Sequence, residues 1–210
     1  MTRVLCVLLA TALLAALGCR ATGARSSIDL PIHQLSPEAA ADFERRGDID
    51  QGHPWYVRPL RRWKYVVIHH SATEVGSAQA FDRAHRARGW DGLGYHFVIT
   101  NGRGGPDGAV TVGSRWLSQK HGAHCGGTPA NEYNEIGIGI CLVGDFTDQM
   151  PTNAQIDSLR QLVSFLVRTY GIDSRNVIGH REAPNARTEC PGRKLDLQLD
   201  EILSDAVNPG

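Results

Sequence analysis

The chain has 210 residues, 41% of them hydrophobic and 21% charged, with 22 basic side chains balanced by 22 acidic ones. That length and apolar share allow one sizeable core and exclude a disordered or fibrous chain. A formal charge of zero argues against a protein that binds nucleic acid by neutralising phosphates, so any partner has to be read from a site.

Residues 1–19 form a unit of their own. Arg3 gives a positive start, and residues 4–17 are apolar apart from Thr11. This run falls short of the roughly 20 residues that cross a bilayer and reads as a secretory signal. It ends in Ala16-Leu17-Gly18-Cys19, which resembles a bacterial lipobox with its leucine one place late. The expectation is an exported protein of the cell envelope, held at a membrane surface through a lipidated Cys19, with ordinary signal cleavage near the same point as the alternative. Export permits disulfides, yet beyond Cys6 and Cys19 only Cys125, Cys141 and Cys190 remain. With three, at least one is left over, and a leftover cysteine near histidines is a candidate ligand or nucleophile.

Residues 20–60 mix Gly, Ser, Pro and charge without a clean period and read as a tether with at most one short helix over 37–46. A single folded domain is expected over 61–205, acting as a monomer. Its first strand is the short apolar run 65–68, rich in residues that favour strands. A helix follows over 77–88, with Ala80, Phe81 and Ala84 on one face and Gly89 as its stop. A second strand covers 95–99 before the turn pair Asn101-Gly102, weak strands lie around 109–112, and a third strong strand covers 136–143. The clearest element is the helix opened by Thr152 and Gln155 at capping-box spacing. Its apolar positions Ile156, Leu159, Leu162, Val163, Leu166, Val167 and Tyr170 repeat at three, four and seven before Gly171. A last strand over 176–178 delivers His180. Alternating strands and helices around one core predict an α/β fold: a central mixed sheet flanked by helices.

Three residues stand where these elements could bring them together: His69 after the first strand, His180 after the last, and Cys190 ten residues on. Two imidazoles and a thiolate suit zinc, and three protein ligands leave a fourth position open, as in catalytic rather than structural sites. His70 competes with His69, but consecutive strand residues point to opposite faces, so only one of the two can serve.

Four ordered stretches carry a family resemblance: Val66-Val67-Ile68-His69-His70-Ser71-Ala72-Thr73; Gly94-Tyr95-His96-Phe97-Val98-Ile99; Ile138-Gly139-Ile140-Cys141-Leu142-Val143-Gly144; and Gly179-His180-Arg181-Glu182-Ala183-Pro184 up to Cys190-Pro191. In order and spacing they resemble the type 2 N-acetylmuramoyl-L-alanine amidases, which include phage lysozyme-type amidases and the peptidoglycan recognition proteins. The resemblance runs over about residues 60–197 and implies zinc bound by His69, His180 and Cys190. It makes Tyr95 the catalytic tyrosine, placed to donate a hydrogen bond to a forming oxyanion. Thr188 takes the position where some members carry lysine, and His124 that of a loop histidine lining the substrate groove. Cys141 stands where some relatives carry glutamate, which excludes a general base there. Glu182 is a carboxylate near the site, Asn134 a residue that holds the loop.

The implied reaction is hydrolysis of the amide between the lactyl group of N-acetylmuramic acid and L-alanine of the stem peptide, in peptidoglycan or its muropeptides. Two other readings remain. Many recognition proteins bind wall fragments without cutting them, though such binders usually lack the zinc cysteine. Alternatively, Cys190 could be a nucleophile with His180 as its base.

Overall fold

The computed structural model describes residues 52–58 and 60–207. The expected signal segment, its Cys19 and the helix over 37–46 lie outside these residues. No helix among the described residues is long and apolar enough to cross a membrane.

Five strands form one mixed sheet: β1 (Tyr65–His70), β2 (Phe97–Ile99), β3 (Val110–Val112), β4 (Gly137–Leu142) and β5 (Val177–Gly179), in the order β3-β2-β4-β1-β5. Only the β2–β3 pair is antiparallel. The helices are α1 (Ala78–Ala87), α2 (Ser114–Leu117), α3 (Glu132–Glu135), α4 (Asn153–Tyr170) and α5 (Arg193–Val207). This is the expected α/β architecture. β2 is shorter than expected, because Tyr95 and His96 precede it, although the His96 N–H still donates to the Gly139 carbonyl at 2.9 Å.

Local chemistry sets the helix ends. Ser77 Oγ accepts from Ala80 N at 3.2 Å to open α1, and Gly89 follows with φ +83°. Thr152 and Gln155 cap α4 reciprocally, and Gly171 closes it in the left-handed region at φ 62°. Side chains alternate across the sheet. Val66, Ile68, Phe97, Ile99, Ile138, Ile140 and Leu142 share the main core with Leu159, Leu162 and Leu166 of α4 and Leu195, Leu199 and Ile202 of α5. The opposite face is thinner: Val98, Cys141 and Val143 pack on Ala78 and Leu93, with Phe81 and Tyr95 against them. His69 is the register partner of Cys141 and therefore belongs to this thin face.

The helix α5 was not among the expected elements; it packs on α4. Residues 52–58, at the end of the segment read as a tether, also lie against the main core. The His53 ring stacks on Phe165 at 4.3 Å, and the Trp55 carbonyl accepts from Trp116 Nε1 at 2.8 Å.

Candidate metal centre

In a parallel sheet the carboxyl ends of the strands share one edge, and functional groups collect there. β1 delivers His69 to this edge, β5 delivers His180 in the turn that follows it, and the loop after that turn returns with Cys190. One ligand atom from each of the three lies within 4.8 Å of the other two. His69 and Cys190 are buried, and His180 is half-buried. The Cys190 Sγ to His69 Nδ1 separation is 3.7 Å. Bond lengths of ~2.05 Å for Zn–N and ~2.3 Å for Zn–S at tetrahedral angles put those two atoms about 3.5 Å apart, so the donor set fits a zinc ion.

Cys190 is held from several sides. Its sulfur accepts from the His70 backbone N–H at 3.3 Å, its own N–H donates to Thr188 Oγ1 at 3.1 Å, and its carbonyl accepts from Arg181 N at 2.7 Å. The Arg181 side chain pairs with Glu189 and Asp196, which fastens the loop to α5. Thr188, two residues before Cys190, thus has its oxygen engaged as an acceptor for the Cys190 N–H. Glu182 accepts from Gly179 N at 2.7 Å and so closes the turn that carries His180. His70 turns away from the cluster: its Nδ1 accepts from Phe146 N at 3.2 Å, with Asp145 at 3.8 Å.

Tyr95 borders the same space, its ring centroid 5.3 Å from that of His69. Its hydroxyl lies beside the Cys141 thiol, and burial pushes the phenol well above its usual pKa, with the sulfurs of Cys141 and Cys190 adding to the rise. The phenol therefore keeps its proton across the neutral range. Gly94 sets the depth of this residue, since a Cβ there would meet the Ala123 carbonyl oxygen at 2.3 Å.

His124 is buried behind His69. Its Nδ1 is 3.0 Å from His69 Nε2 and its Nε2 is 3.3 Å from the Gly137 carbonyl, so both ring nitrogens are engaged within the protein. Asn134 does hold this loop: its Oδ1 accepts from His124 N at 2.7 Å and Cys125 N at 2.9 Å, and its Nδ2 donates to the Cys125 carbonyl. Cys125, Cys141 and Cys190 are all free thiols.

Three supports escaped the sequence reading. Buried Arg115 donates to the carbonyls of Leu93 (2.6 Å) and His121 (2.7 Å) and pairs with Asp91, tying the approach to Tyr95 to the approach to His124. His85 Nδ1 accepts from Gly94 N at 3.0 Å. His96 Nδ1 accepts from Gly139 N at 2.9 Å, so its Nε2 donates to the Lys120 carbonyl at 3.0 Å. A buried arginine leaves a weak mark in sequence: Arg115 is a lone charge beside Trp116, with its partners scattered over other loops.

The sequence profile described as N-acetylmuramoyl-L-alanine amidase matches residues 59–193. Peptidoglycan-recognition protein LB of Drosophila melanogaster is 32% identical over 146 residues, covering 64% of this chain and 57% of that protein. The N-acetylmuramoyl-L-alanine amidase of Sus scrofa is 28% identical over 144 residues, covering 62% of this chain and 22% of that protein. The chain therefore spans less than two thirds of the length of either relative. Among solved structures, the N-acetylmuramoyl-L-alanine amidase LysC from Clostridium intestinale superposes with a TM-score of 0.57 at 29% identity, over 69% of this chain and 85% of that one. One chain of the solved ectodomain complex of peptidoglycan recognition proteins LCa and LCx with tracheal cytotoxin bound gives 0.53 at 29% identity, over 67% of this chain and 82% of that one. The profile runs through every strand of the sheet and through the loops that bring His69, Tyr95, His180 and Cys190 together, and the chain belongs to the N-acetylmuramoyl-L-alanine amidase family, which takes in the peptidoglycan recognition proteins.

Proposed function

We propose that this protein is a zinc-dependent N-acetylmuramoyl-L-alanine amidase that cuts the amide between the lactyl group of N-acetylmuramic acid and L-alanine in peptidoglycan or muropeptides. The observation that carries the reading is the convergence of two imidazoles and a thiol, within 4.8 Å of one another, beside the half-buried Tyr95. A module that only binds wall fragments has no need of this complete set. A bound zinc ion supplies Lewis acidity at the scissile carbonyl and acidifies water at its open position.

The chain's own residues do the rest. Tyr95 donates its O–H to the oxygen that gains charge as the carbonyl is attacked. The Thr188 hydroxyl supplies a second donor from the loop that also fixes Cys190. The thin sheet face keeps the ligands dry on one side, which strengthens each of these charge interactions.

The nucleophile reading of Cys190 fares worse. Burial pushes its thiol up to about 12 and lowers the pKa of His180, and both shifts disfavour a thiolate–imidazolium pair. Removing metal with a chelator should abolish release of stem peptide, and added zinc should restore it. Full activity in the chelated protein would instead support the nucleophile, and no cleavage with zinc bound would leave a binding module.

The envelope location belongs to the same proposal and rests on residues 1–19. Cys19→Ser should move the protein from the membrane to the soluble fraction and stop uptake of labelled fatty acid. Identical fractionation of both forms would leave secretion without an anchor.

A further inference from the structure

We propose that His124 is a positioning residue that locks His69 in the one tautomer whose Nδ1 lone pair faces His180 and Cys190. The inference deepens the proposed function, since it rests on His69 being a metal ligand.

It follows from the direction of two hydrogen bonds. The Gly137 carbonyl can only accept, so the 3.3 Å contact with His124 Nε2 places the ring proton on that nitrogen. A neutral imidazole has a single N–H, which leaves His124 Nδ1 as an acceptor. His69 Nε2, 3.0 Å away, must then be the donor, and a neutral His69 has its lone pair on Nδ1. That is the atom 3.7 Å from Cys190 Sγ. A metal-bound histidine commonly gives its second N–H to a carbonyl or carboxylate; here an imidazole relays that contact to a carbonyl one step further back.

The backbone is shaped to hold this relay. A Cβ on Gly139 would lie 2.4 Å from His124 Cδ2, and one on Gly122 would lie 2.3 Å from the same atom, so both positions make room for the ring. Asn134 fixes the backbone of His124 itself through its N–H. With neither ring nitrogen free, His124 is built to serve His69 rather than to offer a nitrogen to substrate.

The test begins with the zinc-free, full mature chain. Long-range 15N–1H correlation of the histidine rings should place the proton on Nε2 in both His69 and His124. In His124→Ala, and in His124→Phe, which refills the space without a nitrogen, His69 should populate both tautomers. Zinc affinity, read by competition with a chromophoric chelator, should fall about 10- to 100-fold in both variants. An Nδ1–H form of either histidine in the wild-type protein overturns the proposal whatever the variants do. So does zinc affinity in a folded His124→Phe protein within about threefold of wild type, well short of what loss of a ligand's partner costs. Neither readout uses amide cleavage, so a wild-type protein with the Nε2–H pair and tight zinc but no cleavage would sink the amidase reading and leave this one standing.

Discussion

Cys190→Ala is expected to lose zinc and amide cleavage together, with metal affinity reduced by more than about 100-fold, since even partners that only orient a ligand are worth 10- to 100-fold. The sulfur is the one soft donor of the set, and it sits 3.7 Å from His69 Nδ1 with the His70 N–H directed at it. Alanine keeps the backbone bonds from Cys190 N to Thr188 and from Arg181 to the Cys190 carbonyl, so the loop should stay closed while the site loses its charge-balancing ligand. His70→Ala is the contrast. Its ring bonds Phe146 N on the far side of the strand, and its contribution at the cluster is a backbone N–H that alanine retains, so zinc content should hold. Metal analysis of the purified variants decides the matter: a full equivalent of zinc in Cys190→Ala, or its loss only in His70→Ala, would contradict the assigned ligands.

Tyr95→Phe should cost about 100-fold or more in kcat, on the order of 2.7 kcal/mol, with zinc content and folding unchanged. Phenylalanine retains the ring contacts to His69, His85 and His124 and the packing on the thin sheet face. Only the hydroxyl goes. Because burial keeps that group protonated, it can act as a donor but not as a base at neutral pH, so its loss should lower the whole pH profile rather than shift one limb. Thr188→Val should have a smaller effect on turnover, because the Thr188 oxygen also holds Cys190 N and part of the change would fall on the loop. Steady-state kinetics on a muropeptide separates these cases, and near-normal turnover in Tyr95→Phe would remove the tyrosine from the mechanism.

Much of this arrangement was legible in the chain. The β-branched run of β1 and the capped, periodic helix α4 declared themselves because each combines local propensity with a strong burial pattern. The proposed metal ligands stood out because strand ends and a four-block resemblance converge on the same residues. The helix α5 hid in plain view. Leu195, Leu197 and Leu199 alternate as in a strand, yet Leu197 is 69% exposed, while Leu195, Leu199 and Ile202 are buried at the helical spacing. The helix won because α4 offers it a long apolar stripe, and that neighbour is invisible in a local window. The supports of the site were hard to read for the same reason. Arg115 and His124 act through partners on other loops, and a histidine behind a ligand looks in sequence like any other histidine near it.

The most direct test of the central claim is mass spectrometry of purified peptidoglycan digested by the zinc-loaded protein. Cleavage of the lactyl amide predicts intact stem peptides with a free amino-terminal L-alanine, together with glycan fragments whose muramic acid carries a free lactyl carboxylate. Release of peptides cut within the stem, of glycan cut between sugars, or of nothing beyond what the Cys190→Ala protein releases would contradict it.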